Sequence, residues 1–244
     1  MIKPPRILAG LILLPLLLCA MPAYSDGSPQ RSAFISPEVS GSLFVTDKGS
    51  WDAEGAGDTG KGFNWNVHTG DYNFLFIPSL VAGYMKAPWS LGLRYAYPMQ
   101  FARLDLPNGR SAKGIIRGTE IGAQFAYALK ESVEYRFYVS ASLSARVSGE
   151  GPLDVYGGGK KLFSSTFEPD RLMRNYTVLL SAWYDWKGPD TFSWGLVASA
   201  MYSSLDLVAS ADNSIPLGTQ RLDLSVFSVL VGARVRFDLP LSRN

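Results

Sequence analysis

The chain has 244 residues, a formal net charge of +2, one cysteine and one histidine. Residues 1–25 carry two basic and no acidic side chains, so the remainder is formally neutral, which excludes a general nucleic-acid binder with a basic surface. Cys19 lies in that same segment, so the rest of the chain has no disulfide, thiol nucleophile or cysteine metal site.

The N-terminal segment reads as a secretory signal. Lys3 and Arg6 supply a basic start, Ile7 to Cys19 an apolar stretch, and Ala23-Tyr24-Ser25 a small-x-small cleavage site before Asp26. No later stretch approaches the roughly 20 apolar residues of a membrane helix.

Beyond residue 25 the chain reads as alternating segments. Phe34–Thr46 sets Val39, Gly41, Leu43 and Val45 against Glu38, Ser40, Ser42 and Phe44. Asp47–Gly62 is polar and glycine-rich, and Phe63–His68 alternates again as a loop hairpin or an extension beyond a bilayer, before a turn at Thr69-Gly70-Asp71. Asn73–Met85 follows, then a turn at Lys86-Ala87-Pro88. Trp89–Arg103 is the longest clean alternation, with Trp89, Leu91, Leu93, Tyr95, Tyr97, Met99 and Phe101 opposite Ser90, Gly92, Arg94, Ala96, Pro98, Gln100 and Ala102. Such a period of two is a strand signal, because successive side chains point to opposite faces of a sheet.

Leu104–Gly114 reads as a loop, Ile115–Leu129 as a strand, Lys130-Glu131-Ser132 as a turn and Tyr135–Val147 as a strand. Ser148–Arg171 reads as a long loop with a glycine tip at Gly157-Gly158-Gly159. Met173–Trp186 and Phe192–Tyr202 flank a turn at Lys187-Gly188-Pro189, and Leu207–Gly218 separates them from a last strand over Arg221–Leu239. Short turns thus alternate with longer connections, and aromatic residues gather at segment ends: Trp89, Trp186, Phe192 and Trp194 by the turns, Tyr97, Phe101, Tyr176 and Tyr202 by the loops. Faces rich in Ser, Gly, Asn and Gln would make a poor core for a soluble lipocalin-like barrel or sandwich. They suit the narrow interior of a membrane barrel with apolar residues against lipid.

With eight such segments the chain resembles the small outer-membrane proteins of the OmpA/OmpX kind, over most of residues 33–239. Gly232-Ala233-Arg234-Val235-Arg236-Phe237 is similar to the C-terminal signal read by the barrel-assembly machinery, although seven residues follow Phe237. The resemblance implies an all-β, eight-stranded antiparallel up-and-down barrel over residues 26–244, in the bacterial outer membrane, with short periplasmic turns and longer extracellular loops. It implies no particular activity.

On that reading Glu38, Arg94, Glu120, Arg136, Arg146, Asp185, Arg234 and Arg236 face the lumen. Buried charges need partners, so a salt-bridge network that plugs the barrel is expected ahead of an ion path. Arg103, Arg117, Arg174 and Arg221 fall on the lipid-facing parity at the loop ends of their strands, where they would meet lipid phosphates, including those of lipopolysaccharide. The exposed loops would face any extracellular partner. The alternatives are a hydrolase acting on lipid A or peptide near His68 and Asp71, or a narrow pore. One His–Asp spacing assigns no nucleophile, so catalysis is not the reading adopted. No cofactor or metal site is expected: the acidic first loop lacks the spacing of an EF-hand.

Overall fold

The computed structural model describes residues 31–55, 62–70, 73–188, 191–209 and 217–241, and the proposed signal segment, Asp71, Pro189 of the third expected turn, and residues 56–61 and 210–216 lie outside them. The described residues form eleven strands and no α-helix. They are β1 (Arg31–Gly55), β2 (Phe63–Thr69), β3 (Phe74–Lys86), β4 (Trp89–Ala96), β5 (Met99–Leu106), β6 (Arg110–Glu131), β7 (Tyr135–Gly157), β8 (Lys160–Pro169), β9 (Tyr176–Lys187), β10 (Phe192–Ala209) and β11 (Leu217–Pro240). A single 3-10 turn, Leu172–Arg174, precedes β9.

All pairings are antiparallel, and they close on themselves at two levels. In the lower level, the end that holds the short turns, β1 pairs with β3, β3 with β4, β4 with β6 and β6 with β7. The cycle continues through β9, β10 and β11 and returns to β1. In the upper level β2, β5 and β8 take the places of β3, β4 and β9: β1 pairs with β2, β2 with β5, β5 with β6, β7 with β8 and β8 with β10. β1, β6, β7, β10 and β11 run through both levels. The lower cycle is continuous, and closure of that kind removes the unpaired backbone groups that invite aggregation, whereas the upper cycle closes through only two rungs each at β2–β5 and β8–β10.

Eleven strands rather than eight follow from three interruptions. Trp89–Arg103 is not one strand: it breaks at Tyr97-Pro98, where proline has no N–H to donate to a ladder. The Tyr97 and Gly118 amides instead donate to the Pro78 and Pro98 carbonyls, at 3.0 and 3.2 Å. Two segments expected to be loops are largely strand, and a third is strand at both its described ends. Leu104–Gly114 is a β5–β6 hairpin, Ser148–Arg171 contains the β7–β8 hairpin, and Leu207–Gly218 holds the ends of β10 and β11. Most of the acidic first loop, Asp47–Gly55, also belongs to β1. The β5–β6 turn places Asn108 and Gly109 at φ 62° and 67°, a backbone that glycine and asparagine adopt readily.

The two levels differ in what they bury. Below, the interior holds Ser36, Glu38, Ser40, Arg94, Gln124, Ser140, Ser142, Ser181, Asp185, Arg234 and Arg236, while Leu91, Leu93, Leu143, Leu196 and Val231 point outward and are exposed. Above, the interior is a continuous apolar core around Trp51, Val67, Leu104, Ile116, Leu153, Val155, Phe167, Leu207, Leu222 and Leu224. Trp51 contacts Phe63, Trp65, Phe163 and Phe167 edge-on, at ring centroid distances of 5.1–6.2 Å.

Side chains repair the wall where strands change partner. Thr69 Oγ1 both accepts from the Asp47 amide and donates to the Asp47 carbonyl, between the last β1–β3 rung at Gly41 and the first β1–β2 rung at Lys48. On the opposite side the fully buried Asn175 accepts from the Asp206 amide at 3.0 Å and donates to its carbonyl at 2.9 Å. Each side chain replaces a missing ladder partner and satisfies both backbone groups of the residue it faces.

Candidate functional site

The lower interior is the most elaborate polar construction in the chain, and it contains all eight of the charged residues expected there, each buried. β11 contributes Arg234 and Arg236 two residues apart, hence on one face. Arg234 makes a two-point contact with Asp185 of β9, its Nε 2.8 Å from Oδ1, and its guanidinium lies 3.8 Å from the centre of the Trp183 ring. Arg236 donates to Asp238 at 2.8 Å, stacks over Phe34 at 4.3 Å and reaches Met85 Sδ at 3.0 Å. Arg136 of β7 bridges Glu131 at 2.7 Å and Asp238 at 2.8 Å, and Lys187 reaches Glu131 at 2.9 Å. Tyr138 and Trp183 pack against each other at 5.9 Å between these pairs. Together they form a closely packed stack of rings and ion pairs at the end where the short turns lie.

A second group sits higher. Glu120 of β6 pairs with Arg146 of β7 at 3.2 Å and accepts from Thr177 at 2.8 Å. Glu38 accepts from Ser40 and stands opposite Arg234 in the ladder. Arg94 has no ion-pair partner among the described residues. Above this group Asp47 points into the interior and accepts from Gln100 at 2.9 Å and Asn73 at 2.6 Å. Burial raises its carboxyl from 3.8 to about 6, against the opposing effect of those two amides.

The four rim arginines do not share one environment. Arg117 pairs with Glu150, Arg174 with Asp206, and Arg221 with Asp170 and Asp206. Arg103 forms no ion pair among the described residues, and its buried Nε–H has no hydrogen-bond partner there. Near Arg174 and Arg221 a hollow of about 570 Å³ opens between β1, β10, β11 and the 3-10 turn, lined by Lys48, Tyr176, Asp206 and Asp223 among others. Asp206 and Asp223 stand directly opposite in the ladder, and burial together with the Asp206 charge raises the Asp223 carboxyl.

His68 is exposed on the outer face of β2, opposite Lys48 on one side and Asp105 on the other. Asp71 lies outside the described residues. No hydrogen bond to His68 and no cluster of three or more metal-binding side chains occurs among the described residues, so the geometry offers no assembled hydrolytic centre. Sequence reasoning missed Lys113, which faces outward directly opposite Arg103. Its parity with Ile115 and Arg117 was a usable signal, obscured because Leu104–Gly114 reads as a loop.

No protein-family model matches the chain, and no curated protein matches it in sequence. Among solved structures it is similar to the outer membrane protein OprG from Pseudomonas aeruginosa, with a TM-score of 0.52 and 10% identity over 88% of this chain and 99% of that one. Looser similarity extends to the outer membrane protease OmpT from Escherichia coli, at a TM-score of 0.46 and 9% identity over 84% and 97% of the two chains. Neisserial surface protein A gives a TM-score of 0.40 and 15% identity over 83% and 96%. At such identities fold is shared without activity. The chain has the fold of the outer-membrane β-barrel proteins.

Proposed function

We propose that this protein is an eight-stranded transmembrane barrel of the bacterial outer membrane with a structural or surface-interacting role, its lumen plugged by ion pairs and stacked rings. The observation that carries this reading is the reversal of burial along β1, β6, β10 and β11. Leu93 is 71% exposed on the outside of the lower level, whereas Arg236 is 1% exposed inside it. Only a nonaqueous surround makes that arrangement favourable. The outward residues Trp89, Trp186, Trp194 and Phe237 ring the turn end, and Phe44, Phe74, Phe101, Tyr176 and Tyr202 ring the boundary with the upper level. Two such bands match the two interfaces of a bilayer.

Above the second band about ten residues of β11 remain, beyond Phe227 opposite Tyr202, which at about 3.3 Å per residue and a tilt of about 40° would stand about 25 Å into the external medium. The upper level would then be a rigid, water-soluble body with an apolar core, suited to present its hairpin tips to partners outside the cell. The pairing of Arg234 with Asp185, Arg146 with Glu120 and Arg136 with Glu131 and Asp238 supports a plug rather than a pore.

Outer-membrane fractionation with a heat-modifiable gel shift tests the reading. The expected result is a compact band in unheated samples that slows on boiling, and a soluble periplasmic protein without that shift would overturn it. Single-channel recording on refolded protein should give no steady conductance, and N-terminal sequencing of the exported protein should begin at Asp26.

A further inference from the structure

The outer rim above the second aromatic band is not uniform, and one sector of it holds cations that form no ion pair among the described residues. On β5 and β6 the outward rungs run, from the band upward, Phe101 opposite Ile115, then Arg103 opposite Lys113, then Asp105 opposite Ser111. Directly opposed residues in an antiparallel pair hold their Cβ atoms about 5 Å apart, and like charges there destabilise the sheet. Neither Arg103 nor Lys113 has an ion-pair partner among the described residues. The Arg103 Nε–H is buried without an acceptor, and Lys113 makes only a contact with the Tyr156 ring, 5.4 Å from its centre.

The neighbouring carboxylates among the described residues make their ion pairs and hydrogen bonds elsewhere. Asp154, opposite Lys113 on β7, is held by Lys161 at 2.8 Å and Ser164 at 2.7 Å. Those contacts keep its carboxyl below the ordinary range, hence ionised and occupied. Glu150 is taken by Arg117, and Asp105 stands one rung further from the membrane, opposite His68. Around the wall the situation differs: Arg174 and Arg221 are bound to Asp206 and Asp170.

We propose that Arg103 and Lys113 form a clamp for the phosphate of a lipid headgroup in the outer leaflet, the diphosphorylated glycolipid of lipopolysaccharide. This rests on the outer-membrane reading given above. The acyl chains of such a lipid lie along Phe101, Ile115 and the apolar wall below. A phosphate at the height of the next rung therefore meets a guanidinium, which offers a planar fork of donors, and an ammonium beside it. An anion there pairs with the outer N–H groups of the Arg103 guanidinium and removes the like-charge repulsion across the rung. The commitment to a lipid, rather than free phosphate, comes from continuity with the apolar wall: the rung directly beneath the two cations is Phe101 and Ile115, with Phe101 45% exposed.

The test is a native mass-spectrometry titration of refolded protein in neutral detergent with diphosphoryl lipid A, with dephosphorylated lipid A and with inorganic phosphate as competitor. The unsubstituted protein should lose about tenfold in affinity when the lipid lacks phosphate, the loss of one charge-assisted contact or more. The Arg103→Gln/Lys113→Gln variant should weaken by a similar factor toward the phosphorylated lipid, while Arg174→Gln/Arg221→Gln stays within about twofold. Arg103→Lys/Lys113→Arg should retain most of the binding. Equal affinity for both lipids, equal loss in both glutamine variants, or displacement of the lipid by millimolar phosphate would each overturn the clamp. A refolded protein lacking the heat-modifiable shift would instead sink the membrane reading beneath it.

Discussion

At the height of Leu93 the wall is apolar outside and polar within, and at the height of Trp51 it is the reverse. The same five long strands run through both levels, so the difference is not one of fold. β10 shows it without any bulge. Trp194, Leu196, Ala198, Ala200 and Tyr202 are its outward apolar residues, and above Ser203 the apolar residues shift to Leu205, Leu207 and Ala209 on the inward parity. A strand can move its apolar side chains from one face to the other with its ladder to β11 unbroken, because the surroundings on each side decide which side chains are stabilised there. Below, most of the buried charge is held in hydrogen-bonded pairs, Arg234 with Asp185, Arg146 with Glu120 and Arg136 with Glu131 and Asp238. Above, the hydrophobic effect is available and the core resembles that of a soluble barrel.

Breaking one partner in each interior separates the two regimes. Asp185→Leu leaves Arg234 buried and unpaired and should cost about 3–5 kcal/mol in urea unfolding from micelles, much of it recovered in Asp185→Leu/Arg234→Met. Trp51→Ala empties the centre of the upper core and should cost about 3–5 kcal/mol, with no second-site charge change able to recover it. If the Asp185 and Arg234 substitutions proved additive, the lower interior would not be held by that pair.

The outer surfaces should differ next. Leu93→Arg places a cation against hydrocarbon and should cost about 2–4 kcal/mol, whereas Asn66→Arg on the outside of β2 should change stability by less than about 0.5 kcal/mol. Equal effects would deny that the two levels face different solvents.

The boundary between them carries a titration. The folded-state carboxyl of Asp47 is raised from 3.8 to about 6, so the folded protein holds a proton there that the unfolded chain has released. Its contribution is fully present below pH 3.8 and is lost as pH rises through about 6. Unfolding free energy should therefore fall by up to roughly 3 kcal/mol across that window, and Asp47→Asn should flatten the slope. The smallest effect is expected at the joints: Thr69→Ala removes a side chain that serves both backbone groups of Asp47, at about 1–2 kcal/mol, with faster amide exchange at Asp47.

The lower level was legible in the sequence because alternation, aromatic ends and lysine-marked turns agree along every segment. The upper level was not. Leu104 and Leu106, and Leu205 and Leu207, alternate on the parity that is polar below, whereas Leu153 and Val155 keep the apolar parity of β7 and are turned inward by the register shift opposite Thr119 and Glu120, so following one outward apolar face along the chain loses the strand. Pro98 was visible as an alternating residue, yet its missing N–H divides Trp89–Arg103 into two strands. The lumen charges could be assigned by parity alone. Whether a rim arginine is neutralised could not, since Asp170, Asp206 and Glu150 reach Arg221, Arg174 and Arg117 from other strands and connections of the chain.

The central claim is that the reversal of burial marks the edge of the bilayer, and thiol labelling in lipid vesicles tests it most directly. Val39, Leu43, Lys48 and Asn66 all point outward and are exposed in the isolated molecule, and the chain from Asp26 onward contains no cysteine. With each replaced in turn by cysteine, a membrane-impermeant maleimide should label positions 48 and 66 rapidly and leave 39 and 43 protected until detergent is added. Equal labelling of all four in intact vesicles would contradict the account.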